Sequence, residues 1–130
     1  MFVDSSAIVA ILLGEPEADA LAGALEQASR RVTSPLVRLE ATIILSARLD
    51  IEPSAAQQLF DEFLQEAAIE VVPLTDAIGR RAVECFERFG KGRHPARLNL
   101  ADCFSYACAR EHRDELLFKG EDFASTDVNG

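Results

Sequence analysis

The sequence predicts an α/β fold with a mostly parallel central sheet of four or five strands and helices on both faces. Short apolar runs alternate with longer segments in which apolar residues recur every three or four positions. Strands separated by helices need crossover connections, and these place helices against both faces of the sheet. With 130 residues, the chain is expected to form one domain, residues 1–130, whose core is large enough to fold without a metal or a disulfide.

The N-terminal half contains two predicted strands and four predicted helices. The apolar pair at 2–3 predicts a strand that ends at Asp4. Ser5 or Ser6 is expected to cap the next helix, because a serine hydroxyl accepts a hydrogen bond from a free N–H of the first turn. Pro53-Ser54, followed by Gln57, reads as a capping box. The predicted strands lie at 2–4 and 31–34, and the predicted helices at about 5–13, 15–29, 35–49 and 54–68.

The C-terminal half continues the alternation of strands and helices. Its predicted elements are strands at 69–73 and 116–118, a helix from Thr75 to Phe89, and a helix that begins after Asn99. The last helix is expected to turn four residues inward: Leu100, Phe104, Ala107 and Cys108. Residues 125–128 form either a short edge strand or a loop. The segment 90–97 has the composition of a loop, carries most of the local positive charge and is the candidate for a mobile lid.

Four acidic residues occupy positions where such a fold gathers side chains at one edge of the sheet: Asp4, Glu40, Asp102 and Asp122. Two of them follow the ends of the first and fourth strands, and the other two lie in the early turns of adjoining helices. Ligands of open parallel sheets bind beyond the carboxyl ends of the strands. Because carboxylates repel one another, such a cluster requires a divalent metal or a basic partner.

The carboxylates suit a hard metal ion. Mg²⁺ and Mn²⁺ prefer carboxylate and water ligands in octahedral geometry. Asp4 and Asp102 are the expected direct ligands, and Glu40 and Asp122 would bind a second ion or act through water. Two ions about 4 Å apart can activate a water molecule and stabilise the leaving oxygen of a phosphodiester. A nuclease of this kind needs no histidine or cysteine nucleophile.

Each acid also has an ordinary structural interpretation. An isolated aspartate is most often a solvated surface group or a helix cap, and Asp102 could simply complement the dipole of its helix. Glu40 is harder to explain in this way, because it lies beside Val37, Leu39 and Ala41, where burial without a partner is costly.

Composition and charge limit the ligands, the location and the kinds of site that are expected for this chain. Thirteen Lys and Arg against 22 Asp and Glu give a net charge of −9, which argues against broad electrostatic capture of nucleic acid. The N-terminus lacks the basic segment of a signal peptide, and no apolar run approaches the roughly 20 residues of a membrane span, so a cytoplasmic location is expected. The three cysteines have no CxxC spacing, which disfavours a disulfide framework or a zinc site.

Several segments resemble a known family. Residues 1–7, 34–40, 98–104 and 116–128 are similar, in this order, to the successive motifs of the PIN-domain ribonucleases, specifically the VapC-type toxins of bacterial toxin-antitoxin pairs. The resemblance implies a three-layer α/β/α PIN-like fold and an endoribonuclease dependent on Mg²⁺ or Mn²⁺. It also implies a homodimer, a cognate VapB-type antitoxin and a higher assembly with that antitoxin.

The resemblance also assigns roles to residues. The four acids match the acidic quartet of the family, Ser5 and Ser6 match the hydroxyl beside the first acid, and Asn99 precedes the third. Thr126 matches the hydroxyl of the last motif. The family usually has Asn before the fourth acid, whereas this chain has Glu121. The residue that completes the site is therefore Glu121, Asp122 or Asp127.

A catalytic role on RNA implies cations that bind phosphate. The candidates are Arg93, His94 and Arg97 in the basic loop, with Lys119 after the fourth strand. Arginine and lysine pair with phosphates, and a histidine ring can stack on an unpaired base. The ordinary alternative for each is a solvated surface charge.

Two other interpretations stay open at this stage. A phosphoacceptor receiver domain also places acids and a lysine around magnesium, but it needs paired acids after the first strand and an acceptor aspartate after the third. Here Asp4 is followed by two serines, and the third strand ends at Val72-Pro73. The second alternative is a catalytically silent PIN-like module that only binds a partner.

Overall fold

The computed structural model describes residues 1–130 and confirms the predicted α/β fold. Four parallel strands form one sheet in the order β3-β2-β1-β4. The strands are β1 (Phe2–Val3), β2 (Val32–Thr33), β3 (Glu70–Val71) and β4 (Leu116–Leu117). Each strand contributes only two residues to the ladder, so the sheet is short along the direction of its strands.

Six helices connect and cover the strands. They are α1 (Ser5–Leu12), α2 (Ala18–Gln27), α3 (Pro35–Leu49), α4 (Pro53–Glu66), α5 (Asp76–Phe89) and α6 (Leu100–Glu111). A short 3-10 turn follows at Phe123–Ser125, so residues 125–128 form no fifth strand. None of the helices has the length and apolar character that a membrane span requires.

One continuous hydrophobic core holds the helices against the sheet. Its largest fully buried side chains include Phe2, Ile8, Leu45 and Phe60, which come from β1, α1, α3 and α4. The cysteines Cys85, Cys103 and Cys108 are free and buried in this core. Burial of such apolar surface is the main source of stability for a domain of this size.

Several helix starts differ from the predictions. Asp4, and not Ser5 or Ser6, caps α1, because the backbone of Asp4 is still extended and its carboxylate accepts the Ser6 N–H. The capping box predicted at Ser54 is wrong: Pro53 is already helical, and the cap residue Glu52 makes no side-chain cap bond. Pro53 fits there because the first helical residue has no partner for an N–H.

The inward face predicted for α6 is partly wrong. Leu100 is 69% exposed, because it borders a surface depression between α5 and α6 together with Phe86 and Phe104. Ala107 and Cys108 are buried as predicted. The first turn of α6 therefore lies at the surface, next to the carboxyl edge of the sheet.

Candidate active site

Asp4 lies at the carboxyl end of β1 and is 98% buried, with only 2% of its surface exposed. One carboxylate oxygen, Oδ2, accepts hydrogen bonds from the backbone N–H of Ser6 at 3.0 Å and from its hydroxyl at 2.7 Å. The other oxygen, Oδ1, accepts a hydrogen bond from the Ser105 hydroxyl at 2.6 Å. Burial of a carboxylate is costly unless hydrogen-bond donors such as these satisfy its oxygens.

Glu40 approaches Asp4 from the second turn of α3. Its side chain is half-buried, and its Oε1 accepts a hydrogen bond from the Ser5 hydroxyl. Burial raises the pKa of the Glu40 carboxyl, the Ser5 hydrogen bond opposes this rise, and the charge of Asp4 adds to it. Of the two serines expected beside the first acid, Ser6 thus bonds to Asp4 and Ser5 bonds to Glu40.

Asp102 lies in the first turn of α6 and forms a capping box with Asn99. The N–H of Asn99 donates to Oδ2 of Asp102 at 3.0 Å, and the N–H of Asp102 donates to Oδ1 of Asn99 at 2.9 Å. Burial raises the pKa of the Asp102 carboxyl to about 6, although the Asn99 N–H opposes the rise. The negative charges of Asp4, Asp122 and Glu40 raise this pKa further. The charge of each of the other three predicted acids therefore acts on Asp102.

The four acids have no cationic partner. Lys and Arg side chains form ion pairs with many other acids of the chain, including Asp61, Asp114 and Asp127, but with none of these four. The structure thus gathers negative charge at one edge of the sheet and leaves it uncompensated. A divalent cation or a basic side chain from a partner would relieve this repulsion.

Of the three candidates for the fourth acid, Asp122 is the one whose charge acts on Asp102. Asp122 is exposed at the start of the 3-10 turn, and its charge acts on Asp102. Asp127 belongs instead to a separate network with three side chains of α5 and α6: Arg88, Tyr106 and Arg110. Burial disfavours ionisation of Asp127, but these hydrogen bonds outweigh it and lower its pKa to about 2. Glu121 is exposed.

Thr126 has a local structural role in this structure. Its hydroxyl donates to the carbonyl of Phe123 at 2.7 Å and accepts the N–H of Val128 at 3.2 Å. These bonds close the turn that follows Asp122.

The candidate cationic side chains differ in whether an acid of the chain already pairs with them. Lys119 is held by two acids of the loop between α1 and α2, with Nζ at 2.7 Å from Glu15 and 3.5 Å from Glu17. Its backbone N–H also donates to the Ser6 hydroxyl at 3.0 Å. Lys119 therefore ties the segment after β4 to α1, and its charge is already compensated.

The basic loop presents two arginines to solvent. Arg93 and Arg97 are exposed, and the side chain of Arg93 donates only to the carbonyl of Glu87, at 3.2 Å. His94 is half-buried: its ring packs edge-on against Phe89, with the ring centroids 5.0 Å apart, and its Nδ1 accepts the N–H of Ala96 at 3.0 Å. His94 thus shapes the loop, while the two arginines remain available for a ligand.

The sequence analysis missed Ser105. This serine is three residues after Asp102 on α6 and is 2% exposed, and it supplies the only hydrogen bond to Oδ1 of Asp4. The spacing of three residues, which places two side chains on one helix face, is the signal that could have identified it.

The residues at this edge fit a hard divalent cation. All four candidate ligands are carboxylates, which is the donor set that Mg²⁺ and Mn²⁺ prefer. No group of three His, Cys, Asp or Glu side chains is already arranged to hold a metal ion. A Mg²⁺ ion usually binds one or two carboxylates directly and keeps several waters, so it does not require such a group.

Comparison with known proteins identifies the family. The model of the PIN domain matches residues 1–129. Ribonuclease VapC28 of Mycobacterium tuberculosis is 44% identical over 129 residues, which cover 98% of this chain and 95% of that protein. Of the solved structures, the sarcin-ricin loop cleaving toxin VapC20 of M. tuberculosis has a TM-score of 0.72 at 19% identity, with 95% and 92% of the two chains covered. A toxin-antitoxin complex from Klebsiella pneumoniae has a TM-score of 0.71 at 20% identity, with 98% and 92% covered.

The two similar structures support the fold. The sequence identity to the relative from M. tuberculosis is high enough to identify the family. The chain belongs to the PIN-domain family and, within it, to the VapC ribonucleases.

Proposed function

We propose that this chain is a Mg²⁺- or Mn²⁺-dependent endoribonuclease that acts in the cytoplasm as the toxin of a toxin-antitoxin pair. The observation that carries the proposal is the uncompensated acidic cluster, in which three other carboxylates raise the pKa of Asp102. Membership of the VapC ribonucleases supports RNA as the substrate. The receiver interpretation gains no support, because Lys119 is paired with Glu15 and Glu17.

Each acid has a distinct part in this proposal. Asp4 and Asp102 would hold the ion directly, because the carboxylate of each accepts hydrogen bonds that fix its orientation. Glu40 and Asp122 complete the anionic pocket from α3 and from the loop after β4. When bound, the ion supplies an activated water and neutralises charge that develops on the phosphate.

The basic loop would bind the RNA backbone. Arg93 and Arg97 are exposed on the segment that leads directly into the capping box of Asp102. Because the rest of the chain is strongly acidic, such local cations are needed to attract a polyanion. The Arg93→Ala, Arg97→Ala double variant should bind RNA more weakly and with a smaller dependence on salt.

The function is tested by induced expression, followed by mapping of new RNA 5′ ends. The chain should generate new ends at defined positions, and Asp4→Asn should generate none. The same pair of purified proteins, incubated with RNA and Mn²⁺, separates direct cleavage from an indirect cellular response. Equal cleavage by both proteins would point to a contaminant, and no cleavage by either would favour the silent binding module.

The antitoxin would bind along α3, beside the acidic pocket. Leu39 and Ile43 are 56% and 57% exposed on the outer face of this helix, one turn from each other and next to Glu40. The seam between α3 and α4, in contrast, is closed by the ion pair of Arg38 with Asp61 at 2.6 Å. An amphipathic segment that covers the two apolar residues could place a basic side chain against Glu40.

A homodimer would use a different surface, the apolar patch of α5 and α6. Val83, Phe86 and Leu100 are 68%, 45% and 69% exposed there. Two copies related by a two-fold axis would cover this patch with the same patch of the partner. The antitoxin surface on α3 and the patch on α5 and α6 can therefore be tested independently.

Two charge substitutions separate the surfaces. Ile43→Glu should abolish capture of the co-expressed antitoxin and leave the mass by light scattering unchanged. Val83→Glu should convert a dimer into a monomer and leave antitoxin capture intact. If either variant lost both properties or neither, the assignment of partners to surfaces would be wrong.

A further inference from the structure

Ser105 makes an unusual contact for a serine inside a helix. Such hydroxyls commonly bond to the carbonyl four residues earlier in the same helix. The Ser105 hydroxyl donates instead to Oδ1 of Asp4 at 2.6 Å, across 101 positions of the chain. Both side chains are 2% exposed, so water does not replace this bond easily.

The two oxygens of Asp4 are held in different ways. Oδ2 is bound by Ser6 within the first turn of α1, and this contact caps the helix. Oδ1 is bound only by Ser105, which belongs to α6. The Ser105 bond is thus the one that fixes the rotation of the carboxylate relative to the helix that carries Asp102.

The bond also links two candidate ligands mechanically. Ser105 lies three residues after Asp102, on the adjacent turn of α6. A contact from this turn to Asp4 therefore sets the relative position of the end of β1 and the start of α6. Replacement of Ser105 by alanine removes a single oxygen atom, so it creates little empty space.

We propose that Ser105 is a positioning residue for the divalent cation: through its bond to Asp4 it orients this carboxylate toward the pocket shared with Asp102. The inference rests on the proposed function, since it assumes that Asp4 binds the ion. Residues that hydrogen-bond a metal ligand typically contribute about 10- to 100-fold to metal affinity. Ser105 does so without contact with the ion or with RNA.

Calorimetric titration with Mn²⁺ alone, in the absence of RNA, tests the proposal. Ser105→Ala should bind Mn²⁺ about 10- to 100-fold more weakly than the unchanged chain. Ser105→Thr keeps the hydroxyl and should recover most of the affinity. Equal Mn²⁺ affinity of Ser105→Ala and the unchanged chain would overturn the role of Ser105.

Ser46→Ala is the matched control. The Ser46 hydroxyl on α3 donates to the carbonyl of Ile51 at 2.6 Å, so this variant also loses one hydrogen bond of a helix serine. Both alanine variants should lower the melting temperature of the metal-free protein slightly, but only Ser105→Ala should change Mn²⁺ affinity. If Ser105 had only a structural role, Ser105→Ala would lower the melting temperature and leave the Mn²⁺ affinity unchanged.

The same measurements keep this inference apart from the proposed function. If the unchanged chain binds Mn²⁺ and cuts no RNA, the nuclease proposal fails, while the ratio of Mn²⁺ affinities still decides the role of Ser105. If the unchanged chain binds no Mn²⁺, both are overturned.

Discussion

Asp102→Asn should abolish RNA cleavage and, at neutral pH, make the metal-free protein more stable. Loss of a direct ligand should lower the cleavage rate by about 100-fold or more, because even indirect supports of a metal site contribute up to that amount. Asparagine can still accept the N–H of Asn99 through its carbonyl oxygen, so the capping box is kept. The substitution removes one negative charge from a cluster that has no cationic partner.

The sign of the stability change follows from the pKa of Asp102. Its value in the folded protein is raised to about 6 from the ordinary value of 3.8, so the folded state holds the proton more tightly than the unfolded state. The favourable contribution is complete below pH 3.8 and is lost as pH rises through 6. After allowance for the partial exposure of the side chain, this loss is about 1–2 kcal/mol.

Urea unfolding at pH 4 and pH 7.5, without divalent metal, measures the effect. The difference in unfolding free energy between Asp102→Asn and the unchanged chain should shift in favour of the variant as pH rises. Acids outside the cluster, for example Asp127 with its lowered pKa, contribute equally to both proteins and cancel, so the difference reports on Asp102 and the acids coupled to it. If the difference in unfolding free energy between the two proteins did not depend on pH, it would contradict the raised pKa of Asp102.

Asp4→Ala should lower the unfolding free energy by about 2–4 kcal/mol. The carboxylate caps α1 and accepts two serine hydroxyls, of which Ser105 is fully buried. Loss of a cap costs about 1 kcal/mol, and a buried hydroxyl left without an acceptor costs about 1–3 kcal/mol. Both costs arise from the same substitution, because the Asp4 carboxylate both caps α1 and accepts the Ser105 hydroxyl.

Thermal unfolding of three variants tests this expectation. Asp4→Ala should melt roughly 10 °C below the unchanged chain. Asp4→Asn should lose much less, because asparagine is as good a cap as aspartate. Asp76→Ala is the control for an exposed acid, since the ion pair of Asp76 with Arg80 lies at the surface of α5. Equal melting of Asp4→Ala and Asp4→Asn would show that the hydrogen bonds of this carboxylate are unimportant.

The parts of the fold with strong local signals were predictable. The start of α3 at Pro35 was predictable, because proline suits the first helical turn. The order of strands and helices follows from the alternating apolar patterns. The cap of α1 was not predictable, because Asp4, Ser5 and Ser6 are all good caps and only the point where β1 ends selects among them.

The acids of the candidate site were predictable, and the residues around them were much less so. Asp4 and Asp102 stand next to recognisable strand and helix starts. The choice among Glu121, Asp122 and Asp127 depends on a turn of three residues that aims neighbouring side chains in different directions. The only signal for Ser105 in the sequence is its spacing of three residues from Asp102, and a serine among alanines and cysteines is equally compatible with simple packing.

The acidic cluster draws on residues 4, 40, 102 and 122 of a chain of 130. During translation it cannot assemble until the chain through residue 122 has left the ribosome. Prematurely terminated products and N-terminal fragments that end before this residue therefore lack the complete set of acids. A cell that makes this protein is exposed to the intact cluster only after all four of these residues have emerged.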